Sequence, residues 1–457
     1  MIHLFSHYFS WRLLLLSVIE AAVLFMSILL GIQLRIPAGD PTPSAYDATV
    51  FTIAMLAMMN ALGLYSRQPE SIKNTIQRLL VALILAFFLS SAVFYAFPGL
   101  YVGRGIFAIS AVISVAGLVL VRLLFFQVSS ASVLKRRIMV VGSGEASREI
   151  IAYLQGDDAT RSMQFVGLYS TPDELQPEGK YRDIEHGDLL AQVETLRATE
   201  VVIAARERRG GALPLRDLLD CKLEGIRVCD SVAFFEQEKG LLRLDDLRAS
   251  WMIYGDGFNQ GLARDVIKRI FDIVFSLVLL VVALPVMLIA ACAVWLESRG
   301  PIVYRQERVG ERGRGFQILK FRSMIQSAEK AGLPQWASPR DSRITRVGRI
   351  IRATRIDELP QIFNVLLGEM SFVGPRPERP SFVTQLADQI RFYDMRHSLK
   401  PGITGWAQVR FHYGASIEDS VEKLQYDLYY VKNHSLFLDL LILLETVQVV
   451  IGRKGAR

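Results

Sequence analysis

Cysteine and histidine are scarce in this chain. Three cysteines (Cys221, Cys229, Cys292) and six histidines are spread over 457 residues. Three cysteines cannot make a disulfide framework, and their spacing fits no metal site, so a reducing, cytosol-facing location suits them. His397, His412 and His434 are scattered, which points to core or surface roles rather than ligation. Charge is thin as well: 21% of residues are charged against 51% hydrophobic, with a mean hydropathy of +0.29. A soluble globular protein sits near a quarter charged, so disorder is excluded and an ordinary soluble chain disfavoured. The shortage is local. Residues 1–134 hold seven Lys/Arg and four Asp/Glu, residues 135–263 carry a net charge of −5, and residues 264–457 carry +9. The first is a membrane composition. The last concentrates positive charge where phosphates and an anionic membrane surface could meet.

Four apolar stretches fill the first third, at about 11–34, 48–64, 75–97 and 105–126. Each approaches the ~20 residues a helix needs to cross a bilayer. Glu20 interrupts the first and no small-residue cleavage site follows, so it is not a removable signal peptide. Arg67, Lys73 and Arg78 lie in one loop region and Lys135, Arg136 and Arg137 at the exit. The other loops hold Arg35 and Arg104 with Asp40 and Asp47. Basic residues favour the cytoplasm, so both ends of a four-span bundle should face it.

A buried strand is predicted at 138–142, followed by the turn Gly142-Ser143-Gly144 and a helix over 145–154. Apolar runs at 165–169, 201–205 and 226–229 alternate with helical patterns, as in a parallel α/β sheet. The dinucleotide fingerprint is incomplete: Ser147 stands where a third glycine belongs, and no acid follows Leu168-Tyr169-Ser170. The turn is therefore either a phosphate cradle or a tight turn in a structural or regulatory domain.

A linker with Trp251 leads to a nearly continuous apolar run at 270–296, broken by Asp272, Ser276 and Pro285. Arg264, Lys268 and Arg269 precede it; Arg299, Arg305 and Arg308 follow. Basic residues at both ends place both on one side, so the expectation is a re-entrant helix–break–helix with Pro285 as the break. The alternative is an ordinary fifth span. Residues 435–451 form another apolar segment with Asp439 and Glu445, followed by Arg453, Lys454 and Arg457. It fits either an interfacial helix or a buried one.

Arg340, Arg343, Arg346, Arg349, Arg352 and Arg355 recur every third residue. On one helix that spacing spirals, and Gly348 is expected to interrupt it. Asp357-Glu358 follows, then Gly374-Pro375-Arg376-Pro377-Glu378. An Asp-Glu pair alone reads as a solvated helix start. Between basic clusters and rigid turns it also suits phosphoanhydride chemistry: cations neutralise phosphates, one carboxylate can hold Mg²⁺, the other can attack phosphorus.

From about Lys268 onward the chain resembles bacterial sugar transferases of the monotopic polyprenyl-phosphate phosphoglycosyl transferase class. The resemblance rests on Lys268-Arg269-x-x-Asp272, Gln306-x-Arg308-x-Gly310, Lys320-Phe321-Arg322-Ser323-Met324, Arg343-Ile344-Thr345-x-x-Gly348, Asp357-Glu358-Leu359-Pro360-Gln361, Phe372-Val373-Gly374-Pro375-Arg376-Pro377 and Lys400-Pro401-Gly402-Ile403-Thr404-Gly405. The stretches His3-Leu4-Phe5 with His7-Tyr8-Phe9, and Gln425-Tyr426-Asp427-Leu428-Tyr429-Tyr430, look most like the exopolysaccharide-initiating subgroup.

The resemblance implies a membrane α-helical bundle of four spans (1–134), a Rossmann-like α/β domain (135–263) and a mainly α catalytic domain (264–457) with a re-entrant helix at about 268–297. It implies that Asp357 takes sugar-1-phosphate from a UDP-sugar, that Glu358 helps hold Mg²⁺, and that undecaprenyl phosphate accepts the group. Lys320, Arg322 and Arg376 are candidates for phosphate contact; salt bridges that organise the domain are the other reading. It further implies a homodimer in the bacterial inner membrane, with the α/β and catalytic domains on the cytoplasmic side. Family members often have Ser-Pro at the membrane break; this chain has Leu284-Pro285.

Two rivals stand beside this reading. A membrane-anchored nucleotide-sugar dehydratase or epimerase needs Tyr-x-x-x-Lys, and none of the 15 tyrosines satisfies it. A non-catalytic scaffold or nucleotide-sugar sensor would release no UMP. Nucleic-acid binding is disfavoured, because stacking aromatics are not interleaved with the basic residues.

Overall fold

A computed structural model describes residues 2–4, 7–9, 11–35, 45–65, 72–96, 104–129, 135–142, 144–156, 162–170, 183–184, 188–204, 213–247, 252, 258, 261–325, 343–411 and 416–451. Phe5, Asp40, Arg67, Ser143, Ala205, Trp251, Arg340, His412 and the basic tail Arg453, Lys454 and Arg457 lie outside the described residues. The chain divides into two compact units. One is Phe9–Glu238 with Met1–Ile2; the other is Lys239–Arg457 with His3–Tyr8. Trp406 Nε1 donates to the Gly240 carbonyl at 2.7 Å, and the Leu242 amide donates to the Gln425 carbonyl at 3.0 Å.

In the first unit, four apolar helices appear where four apolar stretches were expected: α1 (Trp11–Arg35), α2 (Ala45–Ala61), α3 (Ile72–Ala96) and α4 (Arg104–Ser129). Leu24, Ile28, Met55, Met59, Leu79, Leu83 and Leu118 form their core. Among the described residues, Trp11–Arg35 and Gly105–Val128 are long and apolar enough to cross a membrane; Ala48–Asn60 and Thr75–Phe88 are shorter apolar helices. Glu20, the acid inside the first stretch, is buried and paired. Arg122 reaches it at 2.5 Å and 3.0 Å, and Tyr65 donates to it at 2.5 Å. An acid among apolar helices needs such partners, because an isolated charge there is expensive.

The same unit contains a parallel five-stranded sheet of β1 (Arg136–Val141), β2 (Met163–Tyr169), β3 (Asp183–Ile184), β4 (Glu200–Ile203) and β5 (Arg227–Asp230), in the order β3-β2-β1-β4-β5. Helices α5 (Glu145–Gln155), α6 (Leu189–Thr195), α7 (Leu215–Leu223) and α8 (Ser231–Lys239) accompany it. The central β1 is buried from Ile138 to Val141, as expected for a strand covered on both faces. The expected α/β alternation is present.

The second unit begins its helical course with α9 (Leu262–Glu297). This helix, over Ala263–Glu297, is the third one long and apolar enough to cross a membrane. Helical structure is continuous through Pro285, so the expected helix–break–helix is one uninterrupted element here. Proline removes one donor and crowds one carbonyl, and the remaining bonds can carry a helix past it. Asp272, Ser276, Ala283, Met287, Ala290 and Val294 are buried, which marks one face along most of the length. Ala283 to Val294 pack with Phe321 and Ile351 of the same unit. Val278, Val281, Val282, Leu288 and Ile289 are exposed.

An antiparallel hairpin follows, β6 (Val303–Val309) and β7 (Gly315–Phe321), in register from Val303↔Phe321 to Val309↔Gly315. Then come α10 (Arg346–Ala353), α11 (Gln361–Leu367), β8 (Ser371–Val373), α12 (Pro380–Gln389), β9 (Gly402–Thr404), α13 (Trp406–Arg410), α14 (Ile417–Asn433) and α15 (Leu436–Ile451). Strands β8 and β9 pair in parallel. Gly348 does not interrupt the arginine-rich segment; it lies inside α10. A Cβ there would sit 2.1 Å from the Ser323 carbonyl oxygen, so the glycine permits close backbone approach rather than a break.

Candidate active site

The Asp357-Glu358 pair sits in a 3₁₀ turn, Ile356–Glu358, between α10 and α11. Arg355, with φ of 59°, occupies the left-handed region and turns the chain out of α10. A non-glycine residue in that conformation is uncommon and clusters where a site over-determines it. Pro360 directly precedes α11, and its fixed φ suits a helix start. The two carboxylates are thus on a short rigid corner, each only 8% exposed.

Their environments differ. Glu358 Oε1 accepts from Lys320 Nζ at 3.0 Å and from Arg376 Nη2 at 3.0 Å, while Arg355 Nη1 is 3.8 Å from Oε2. Burial alone would raise its pKa, but Lys320, Arg376 and Arg355 outweigh it and hold the carboxyl well below the usual carboxylate range. Asp357 is shifted the other way. Burial and then the neighbouring Glu358 push its carboxyl above the ordinary range, against the pull of Lys320, Arg352 and Arg355. Its Oδ1 is buried with no hydrogen-bond partner. Adjacent carboxylates driven apart in this way can take different chemical roles.

Each cation is delivered by a well-braced element. Lys320 comes from β7, whose outer edge is sewn to α11: Leu319 N donates to Asn364 Oδ1 at 3.0 Å, and Asn364 Nδ2 donates to Gln317 O at 2.8 Å. Arg376 follows β8, and the loop after that strand is held at successive carbonyls. Tyr430 Oη donates to Val373 O, Gly402 N to Pro375 O, Arg396 Nη2 to Arg376 O and Arg308 Nη1 to Pro377 O, all at 2.8–3.0 Å. Arg396 is itself buried against Asp427 at 2.8 Å. β8 is also tied to α9, since Asp272 Oδ1 accepts from Ser371 Oγ and from the Phe372 amide.

The structure thus brings together Asp357, Glu358, Lys320 and Arg376. It places Arg322 elsewhere: its guanidinium donates to Ser298 O, Ser298 Oγ and Arg299 O at the end of α9. Pro285 lies within α9, the helix whose start holds Asp272. Asn364, Arg396 and Glu297 carried no sequence signal of their own; Arg269 and Asp272 did, through the Lys-Arg-x-x-Asp motif. Among the described residues, no group of three or more His, Cys, Asp and Glu could hold a metal ion.

Comparison with known proteins gives two family matches: bacterial sugar transferase over residues 263–453 and CoA-binding domain over residues 60–204. The chain is 39% identical over 302 residues to a UDP-N-acetylgalactosamine-undecaprenyl-phosphate N-acetylgalactosaminephosphotransferase of Aeromonas hydrophila, covering 64% of this chain and 70% of the relative. It is 42% identical over 184 residues to a UDP-glucose:undecaprenyl-phosphate glucose-1-phosphate transferase of Klebsiella pneumoniae, covering 40% of this chain and 39% of the relative. A Bacillus subtilis relative named as a putative undecaprenyl-phosphate N-acetylgalactosaminyl 1-phosphate transferase is 50% identical over 130 residues, or 72% of its length. With the motifs inside the 263–453 match, and 70% of the Aeromonas hydrophila relative covered at 39% identity, the chain belongs to the bacterial sugar transferase family.

Proposed function

We propose that this protein transfers a sugar-1-phosphate from a UDP-sugar to undecaprenyl phosphate, the first membrane step in building an exopolysaccharide. The observation that carries the reading is the asymmetric carboxylate pair: Glu358 Oε1 is held by Lys320 and Arg376, whereas Asp357 beside it keeps a buried, unpartnered oxygen. In the first step an Asp357 oxygen bonds to the phosphorus that bears the sugar. The bond from that phosphorus to the bridging oxygen breaks, and UMP leaves with the electron pair. In the second, an oxygen of undecaprenyl phosphate bonds to the same phosphorus and the bond to Asp357 breaks, restoring the carboxylate. The sugar–oxygen bond is untouched in both. Lys320 and Arg376, both bonded to Glu358, would neutralise phosphate charge beside Asp357.

Mg²⁺ fits this donor set. It takes oxygen ligands and is generally held by one or two carboxylates plus substrate phosphates, and here two carboxylates are adjacent, one with a free oxygen. Glu358 would hold the ion through Oε2, which Arg355 approaches only to 3.8 Å, and the ion when bound would offset charge on the diphosphate.

The four apolar helices are taken as spans, and α9, helical through Pro285, as a helix bent there so that it enters the membrane and returns. Straight, α9 would separate Arg269 from Glu297 by about 42 Å at ~1.5 Å per residue. Yet both residues are bonded to the short segment running from α10 to α11, and one face between them is buried. A helix fastened at both ends to one domain is poorly suited to ending on opposite sides of a bilayer. The α/β and catalytic domains then lie on the cytoplasmic side, and two copies form a dimer.

The test is UMP release. The full-length protein with Mg²⁺, undecaprenyl phosphate and a panel of UDP-sugars should release UMP, chelation should stop it, and Asp357→Asn should abolish it in folded protein. Appreciable turnover by that variant would reject the nucleophile. No UMP from the unmodified protein with any UDP-sugar would favour a scaffold.

A further inference from the structure

We propose that Glu297 and Arg269, at the two ends of α9, are paired positioning residues that hold the Asp357-Glu358 segment from both sides. Glu297 lies at the last turn of α9. Its Oε1 accepts from the Arg346 amide at 2.7 Å and its Oε2 from the Val347 amide at 3.0 Å. These are the first two helical N–H groups of α10, and Thr345 Oγ1 accepts the third, from Gly348, at 2.9 Å. A helix start leaves four such donors without intrahelical partners. The Thr345 amide donates to Ser323 O at 3.1 Å, so all four are satisfied, two of them by a carboxylate, the charge that a helix N-terminus favours.

Arg269, in the early turns of α9, does the opposite at the other end. Its Nη1 donates to Val365 O at 2.6 Å and its Nη2 to Leu366 O at 2.7 Å. These are among the last carbonyls of α11, where a cation is the matching charge. Gly368, with φ of 86°, ends that helix, and a Cβ there would meet the Arg269 guanidinium at 3.4 Å.

Between these anchors lies the corner with left-handed Arg355, then Asp357, Glu358 and Pro360. An acid holds the entry to α10 and a base holds the exit of α11, each with the sign its helix end requires, and both come from one apolar helix. The setting of the two carboxylates against Lys320 and Arg376 thus depends on how α9 is seated. The buried face of α9 passes from one anchor toward the other, and its exposed face is apolar, so the lipid that α9 meets is mechanically linked to the corner. Side chains that hold reacting groups by way of their backbone act on rate more than on substrate affinity.

The kinetic arm of the test rests on the transferase reading; the exchange arm does not. The full-length protein in lipid nanodiscs, unmodified and as Glu297→Ala, Glu297→Gln, Arg269→Ala and Arg269→Lys, is compared by hydrogen–deuterium exchange and by UMP release. Glu297→Ala should speed exchange of the Arg346 and Val347 amides about tenfold while the β6–β7 hairpin stays unchanged. It should lower kcat by about tenfold or more, with KM for the UDP-sugar within about threefold, as loss of a charge-assisted pair of bonds predicts. Arg269→Ala should loosen the end of α11 likewise, and Arg269→Lys, which keeps the charge but not the fork, should fall between. If Glu297→Ala does not fold, Glu297→Gln, which retains one oxygen acceptor, carries the same comparison with a smaller effect. Unchanged exchange at both helix ends, or unmodified kcat in a folded Glu297→Ala protein, overturns the proposal. If the unmodified protein releases no UMP, the transferase reading fails and the exchange result alone decides the clamp.

Discussion

Replacing Arg376 with methionine removes one of the two cations on Glu358 Oε1 while keeping much of the side-chain length. Breaking a buried ion pair by deleting one partner costs about 3–5 kcal/mol, because the other charge stays behind. Here the cost should fall below that range. Lys320 remains at 3.0 Å on the same oxygen, Arg355 stands 3.8 Å from the other, and Arg376 is 27% exposed, so water can partly replace it. About 2–3 kcal/mol follows, which at ~1.4 kcal/mol per tenfold is roughly a 30- to 150-fold loss. In kcat/KM for UMP release that loss appears in full only if Arg376 serves the diphosphate in the transition state. Chemical denaturation of the same variant separates the structural share. Glu358→Gln combined with Arg376→Met should cost less than the two single losses multiplied, since both act through one contact. A folded Arg376→Met protein with UMP release within threefold of the unmodified enzyme would refute the argument, and would leave Arg376 as a brace for Glu358.

Three further outcomes concern the site and α9. In the proposed mechanism Asp357 attacks only when ionised, and its carboxyl is held above the ordinary range by burial and by Glu358. The rate of UMP release should therefore rise with pH through that elevated value and be lost on acidification while an ordinary carboxylate is still charged. An acid limb at the ordinary aspartate value near ~3.9 would contradict this. Glu358 runs the other way: its folded pKa is depressed, so its contribution to stability persists at neutral pH and disappears only as pH falls through that low value. For the membrane arrangement, Val303→Cys in a background with Cys221, Cys229 and Cys292 all replaced by serine puts a single reporter just beyond α9. Labelling by an impermeant maleimide only from the cytoplasmic side is expected; labelling from outside would make α9 a full span.

The apolar helices and the α/β alternation were readable without coordinates. Apolar runs at bilayer length, basic loops, and short apolar runs alternating with helical patterns are local properties, and local properties survive in the sequence. The carboxylate pair was readable too, because Asp357 and Glu358 are neighbours in the chain and their flanking Pro, Gly and Arg residues form ordered motifs. Gly348 was misleading: a glycine in a predicted helix suggests a break, and only the Ser323 carbonyl 2.1 Å from its would-be Cβ explains it. Pro285 was similar, since one proline does not decide whether the remaining helical bonds hold, and here the helix runs on.

What the sequence by itself determined is which residue types are present to do chemistry, and which parts of the chain must leave water. Tertiary structure alone decided which cations meet which carboxylate. Lys320 and Arg322 are two residues apart on one extended stretch, yet Lys320 reaches Glu358 and Arg322 caps the end of α9. The reason is physical. Charge and hydropathy are written residue by residue, but the pKa splitting between Asp357 and Glu358 comes from burial and from side chains such as Lys320 and Arg376, brought in from distant parts of the chain.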